Sequence, residues 1–108
     1  MQHIHNISIT APAERFLRQQ MARTRLREGD IWSLGFISRF VNADGSTVDR
    51  FVPGYMVEAW PRASLTERYL VAHLPDETVF YFLPKFNWSA SERYVVDLDG
   101  FMFSIGPV

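Results

Sequence analysis

The feature that most constrains this chain is a change of apolar period at Gly29–Asp30. Upstream, Ala13, Phe16, Leu17, Met21 and Thr24 recur at three- and four-residue spacing, which lays one mainly apolar stripe along a helix. Downstream, Trp32, Leu34, Phe36 and Phe40 alternate with Ser33, Gly35 and Arg39, the period of a strand with one buried face. A single early helix must therefore pack on whatever sheet the rest of the chain builds.

Local signals refine this. Thr10 is placed to cap the helix, Pro12 is tolerated in its first turn because the missing N–H would be an orphan there, and Gly29 is the expected stop. Before the helix, Ile7 and Ile9 alternate with Asn6 and Ser8, so His3 to Ile9 reads as one short strand. After it, Asn42 to Ser46 reads as a hairpin turn with Gly45 at positive φ, and Thr47 to Val52 as the returning strand. Tyr55 to Trp60 follows the Pro53–Gly54 turn and ends at Pro61. Arg68 to Leu74 and Thr78 to Leu83 flank Pro75–Asp76–Glu77, and Tyr94 to Leu98 and Phe101 to Ile105 flank Asp99–Gly100. The expected fold class is α+β: one amphipathic N-terminal helix packed on a mainly antiparallel sheet that curls into a half-barrel or sandwich.

Residues 1–108 make one domain by length, and 47% hydrophobic residues place the chain in the globular class. With 11 Lys plus Arg against 12 Asp plus Glu the net charge is -1, so no global field draws the molecule to nucleic acid or anionic lipid. The absence of cysteine excludes a disulfide framework and a thiolate site, and points weakly to the cytoplasm. Met1 to Asn6 has neither the basic nor the apolar region of a signal peptide, and no run approaches the roughly 18 apolar residues of a membrane span.

Three groupings could carry chemistry. His3 and His5, two apart on a strand, share a face and are the candidate metal ligands, although a site would need at least one more; His73 reads as a partly buried, hydrogen-bonded residue. Arg15, Arg18, Arg23, Arg25 and Arg27 form a basic face suited to phosphate or an acidic protein, but equally the soluble side of an amphipathic helix. Phe80, Tyr81, Phe82, Phe86 and Trp88 concentrate aromatics around Lys85. Because neighbours on a strand point to opposite faces, Tyr81 cannot share a face with Phe80 and Phe82. Phe86, Trp88, Tyr81 and Lys85 are thus the candidate ligand or partner surface, with core packing as the alternative use. No G-x-S-x-G or G-x-x-x-x-G-K pattern occurs, and Asp97 and Asp99, which could share a strand face, read first as hairpin chemistry.

Two ends and a middle strand resemble a known family. Ile7–Ser8–Ile9–Thr10 followed by Ala13 and Leu17, Tyr55–Met56–Val57–Glu58, and the closing Gly100–Phe101–Met102–Phe103–Ser104–Ile105–Gly106–Pro107 are similar in order and spacing to the HesB-like A-type iron-sulfur carriers. The resemblance implies a HesB-like half-barrel or sandwich and a tendency to form dimers or tetramers. The family's chemistry needs three cysteines, and this chain has none. The expectation is therefore a non-catalytic binding or assembly domain without cofactor, acting as a homo-oligomer or with a protein partner. A small metal-dependent enzyme using His3 and His5, or nucleic-acid binding through Arg15, Arg18 and Arg25, are the alternatives.

Overall fold

The computed structural model describes all 108 residues. Eight strands and one α-helix follow in the order β1 (Gln2–Ile4), β2 (Ile7–Ile9), α1 (Ala11–Arg23), β3 (Asp30–Ile37), β4 (Gly54–Pro61), β5 (Leu70–His73), β6 (Val79–Phe82), β7 (Tyr94–Asp99) and β8 (Met102–Pro107). A short 3-10 turn, Arg62–Ser64, lies between β4 and β5. All eight strands belong to one sheet, in the order β1-β5-β6-β3-β4-β8-β7-β2.

That order closes the molecule. The two outermost strands, β1 and β2, are consecutive in the chain and are separated only by His5 and Asn6. Three Cα steps from Ile4 to Ile7 reach about 11 Å at most, so the two ends of the row must lie side by side and the sheet is rolled into a nearly closed barrel. Asn6 holds the bend: its carbonyl accepts from Tyr94 N at 2.8 Å and its Nδ2 donates to Ala90 O at 3.0 Å.

Alternation along each strand fills the interior. Leu34 on β3, Tyr55 on β4, Leu70 and Ala72 on β5, Phe80 and Phe82 on β6, Val96 on β7 and Phe103 on β8 form one apolar cluster with Ile4 and Ile7. Each fully buried aliphatic or aromatic side chain contributes about 1.5–3 kcal/mol to folding. The helix adds Ala13 and Leu17 to this cluster and sets the Phe16 ring 5.4 Å from that of Phe103.

The expected α+β fold with a mainly antiparallel sheet is corrected by this arrangement. The molecule is mostly sheet with one short helix, and β1 with β5, β2 with β7 and β3 with β6 are parallel pairs among four antiparallel ones. The reason is the split N-terminal segment: what reads as one strand is two, one on each edge, and both run parallel to their neighbours.

Two boundaries also move. Thr10 caps the helix as expected, accepting from Ala13 N at 3.4 Å, but the helix ends at Arg23 rather than Gly29. Thr24 is extended, its amide donates back to Gln20 and Met21, and its hydroxyl donates to the Gln20 carbonyl at 2.8 Å, which satisfies the last turn early. Gly29, at φ 84, instead serves the turn into β3. The Asn42–Ser46 turn forms around Gly45 at φ 88, yet Thr47 to Val52 makes only one bridge, Val41 with Thr47. The strand that returns along β3 is β4, paired from Asp30↔Pro61 to Ile37↔Gly54. That register sets Tyr55 opposite Phe36 and brings Tyr55 and Leu34 into the interior cluster, whereas Phe40, Val41, Val48 and Val52 stay exposed.

Candidate functional site

Leu34 and Tyr55 point into the barrel, so Ser33, Gly35, Met56, Glu58 and Trp60 fall on its outer face. The register sets Ser33 directly opposite Glu58 and Gly35 opposite Met56. With Tyr69 and Lys85 at the margin these residues line a recess of ≈ 270 Å³.

Glu58 is the chemically distinctive group in it. Its carboxylate lies down over Gly35: a Cβ at that position would come 2.5 Å from Oε1 and 2.8 Å from Oε2. Glycine is therefore what makes the seat. Ser33, 1% exposed, donates its hydroxyl to Oε1 at 3.5 Å, a long contact. Burial raises the Glu58 pKa above the usual 4.5, and the Ser33 hydrogen bond only partly opposes it. No cation compensates, since both ion pairs in the molecule are made by Arg18. The ammonium at its margin, Lys85 Nζ, is turned over the Phe36 ring, 5.1 Å from its centroid. Trp60 adds an indole N–H that is buried without a partner.

The sequence-predicted residues are distributed differently. Phe86 and Trp88 pack against the interior cluster, with Phe86 stacked 5.0 Å from Tyr94. The Trp88 indole N–H is buried without a partner and its side chain borders a second recess with His3, His5, Asn6 and Glu92. Tyr81 faces outward, where Arg62 covers its ring at 5.9 Å and donates to its hydroxyl at 3.5 Å. Only Lys85 of the four reaches the Glu58 recess.

On the helix, Arg18 is held by Glu14 at 3.1 Å and Asp76 at 2.6 Å, which removes the centre of the basic face, and Arg15 is exposed; Arg25 and Arg27, exposed too, lie beyond the helix end at Arg23 and do not belong to that face. Asp97 accepts from Thr10 Oγ1 at 2.9 Å and from Leu98 N at 2.8 Å, so it fastens the helix start to β7. His3 and His5 are joined by His73 from β5, with ring centroids 4.4 to 6.4 Å apart. Their planes lie within 23° of parallel, and no group of three or more His, Cys, Asp or Glu side chains is arranged to hold a metal ion.

Sequence reasoning missed Glu58 as a site residue. The available signal was an acid in the middle of the apolar run Tyr55–Trp60 facing a serine and a glycine; an alternating acid ordinarily marks a solvated face, and only the long-range cover of Tyr69 and Lys85 changes that. No family model, curated protein or solved structure matches the chain. No helix is long and apolar enough to cross a membrane.

Proposed function

We propose that this chain is a non-catalytic binding domain whose Glu58 recess receives a cationic nitrogen, presented by a small amine or by a lysine side chain of a protein partner. The observation that carries it is the half-buried carboxylate with one long hydrogen bond and no counter-charge. Such a group is unfavourable alone and becomes favourable when a cation completes the pair. Trp60 and Tyr69 line the recess and offer such a guest aromatic surface. The recess holds an acid and a hydroxyl but no imidazole, all three histidines lying elsewhere. The one base beside Ser33 is Glu58 itself, 3.5 Å from the hydroxyl, and no third group orients that pair.

The resemblance to the HesB-like carriers is retained as a proposal of descent only, for it assigns no residue a role in a chain without cysteine. Titration with n-butylammonium, followed by tryptophan fluorescence and calorimetry, tests the binding. Saturable binding by the wild type that is weakened at least tenfold in Glu58→Gln is expected, a tenfold loss corresponding to about 1.4 kcal/mol. Equal binding by both proteins, or none by either up to millimolar amine, would overturn it.

A further inference from the structure

The three histidines, which the proposed binding site does not use, occupy the seam where the barrel closes. β1 adds to the sheet through three residue pairs with β5, Gln2↔Leu70, His3↔Val71 and Ile4↔Ala72. Short parallel ladders of this size are weakly held. On the outer face of that ladder His3 Nδ1 lies 2.7 Å from His73 Nε2, and the His5 ring is 4.4 Å from that of His73. An imidazole N–H···N bond needs one donor and one lone pair, so at least one of the two rings is neutral. If both were imidazolium, two N–H groups would meet head to head.

We propose that His3, His5 and His73 form an acid-sensitive latch on the β1–β5 seam, protonation driving β1 off β5 and uncovering Ile4 at the closure of the barrel. The surroundings offer the added charge little relief. β1 itself, Gln2–Ile4, carries no titratable side chain besides His3. On β6 Val79 faces His73, and Tyr81 lies two pairs further along, facing Val71. In the β5–β6 turn Asp76 is engaged by Arg18, and Glu77 is exposed. Glu92 borders the recess beside His3 and His5, and Arg93 a neighbouring one beside His5. Desolvation first, then the charges of His5 and His3, hold His73 below the usual 6.5.

The sign follows from that direction. Above about pH 6.5 His73 is neutral whether the seam is closed or open, and the latch costs nothing. As pH falls through about 6.5 the open form takes up a proton that the closed form resists, so opening becomes about tenfold easier per pH unit for each such proton, until the closed form's own pKa is reached. Ile4, 3% exposed when closed, is the core residue released.

The experiment is amide hydrogen exchange by NMR, expressed as protection factors at pH 7.5, 6.5 and 5.5 in buffer containing EDTA. Protection of β1 should fall between pH 7.5 and 5.5, by up to about tenfold for each proton the open form takes up, while the β7–β8 pair from Val96↔Ile105 to Leu98↔Phe103 keeps its protection. His73→Phe, which keeps an aromatic ring without a titrating nitrogen, should flatten the response; His3→Gln with His5→Gln should do the same by a different route. Constant β1 protection in the wild type, loss shared equally by β7 and β8, or an undiminished response in both variants would overturn the latch.

Discussion

Replacing Gly35 with alanine separates binding from stability. The new Cβ would stand 2.5 Å from Glu58 Oε1 and 2.7 Å from its Cδ, whereas ordinary carbon contacts begin near 3.5 Å, so the carboxylate must move by roughly 1 Å. What moves is the far end of a flexible side chain, and Gly35 is not at positive φ. Alanine also reduces the entropy of the unfolded chain, worth about 0.4–1 kcal/mol in favour of folding. These effects offset one another, and Gly35→Ala should unfold in urea within about 1 kcal/mol of the wild type. Butylammonium binding should nevertheless weaken at least tenfold, because Glu58 has lost its seat. Gly54→Ala is the contrasting case: its Cβ would meet Met102 Cβ at 2.7 Å and the Phe103 carbonyl at 3.0 Å, neither of which can swing away, so overpacking costs about 1–3 kcal/mol. If Gly35→Ala lost more than about 2 kcal/mol, or bound the amine as the wild type does, the reading of Gly35 as the seat of Glu58 would be wrong.

Two further predictions concern the frame that presents the site. Phe82 is fully buried, with the rings of Tyr55, Phe80 and Phe86 at 5.9, 5.7 and 6.5 Å; Phe82→Ala should cost about 3–5 kcal/mol in urea unfolding, and a loss under about 1 kcal/mol would remove Phe82 from the centre of the core. Tyr55 donates its hydroxyl to Leu83 O at 3.0 Å, and burial pushes its phenol from 10.0 up to about 12. The unfolded phenol ionises first, so stability contributed by Tyr55 is complete below about pH 10 and is lost as pH rises from there toward 12. Ultraviolet titration near 295 nm should resolve this late tyrosine in the wild type and not in Tyr55→Phe.

What was legible in the sequence was local. The onset of alternation at Asp30, the Thr10 cap and the turns at Pro75–Glu77 and Asp99–Gly100 depend on neighbours within a few residues, and the structure forms each of them, with Glu77 at φ 69 and Gly100 at φ 62, whereas the helix stops at Arg23 and not at Gly29. The break at His5–Asn6 was not legible, because Ile7 and Ile9 alternate as an unbroken strand would while the partners that bend the chain, Ala90 and Tyr94, lie more than eighty residues away. The same distance hid the site. Period two placed His3 and His5 on one face, but only the β1–β5 pairing brings His73 to them. Likewise Glu58 reads as a surface acid until its register partner Ser33 and the cover from Tyr69 and Lys85 are in place. Aromatic density around residue 86 pointed inward instead, since Phe86 and Trp88 close the interior that the helix alone is too short to fill.

Glu58, as proposed above, acts as a desolvated acid that binds a cation. Carbon-13 NMR of its carboxyl carbon across a pH titration, with and without saturating n-butylammonium, measures this at the atom concerned. The free protein should show a midpoint above the ordinary 4.5, because burial favours the neutral form, and the amine should bring that midpoint down by stabilising the carboxylate. An ordinary midpoint in the free protein, or one that the amine leaves unmoved, would contradict the account.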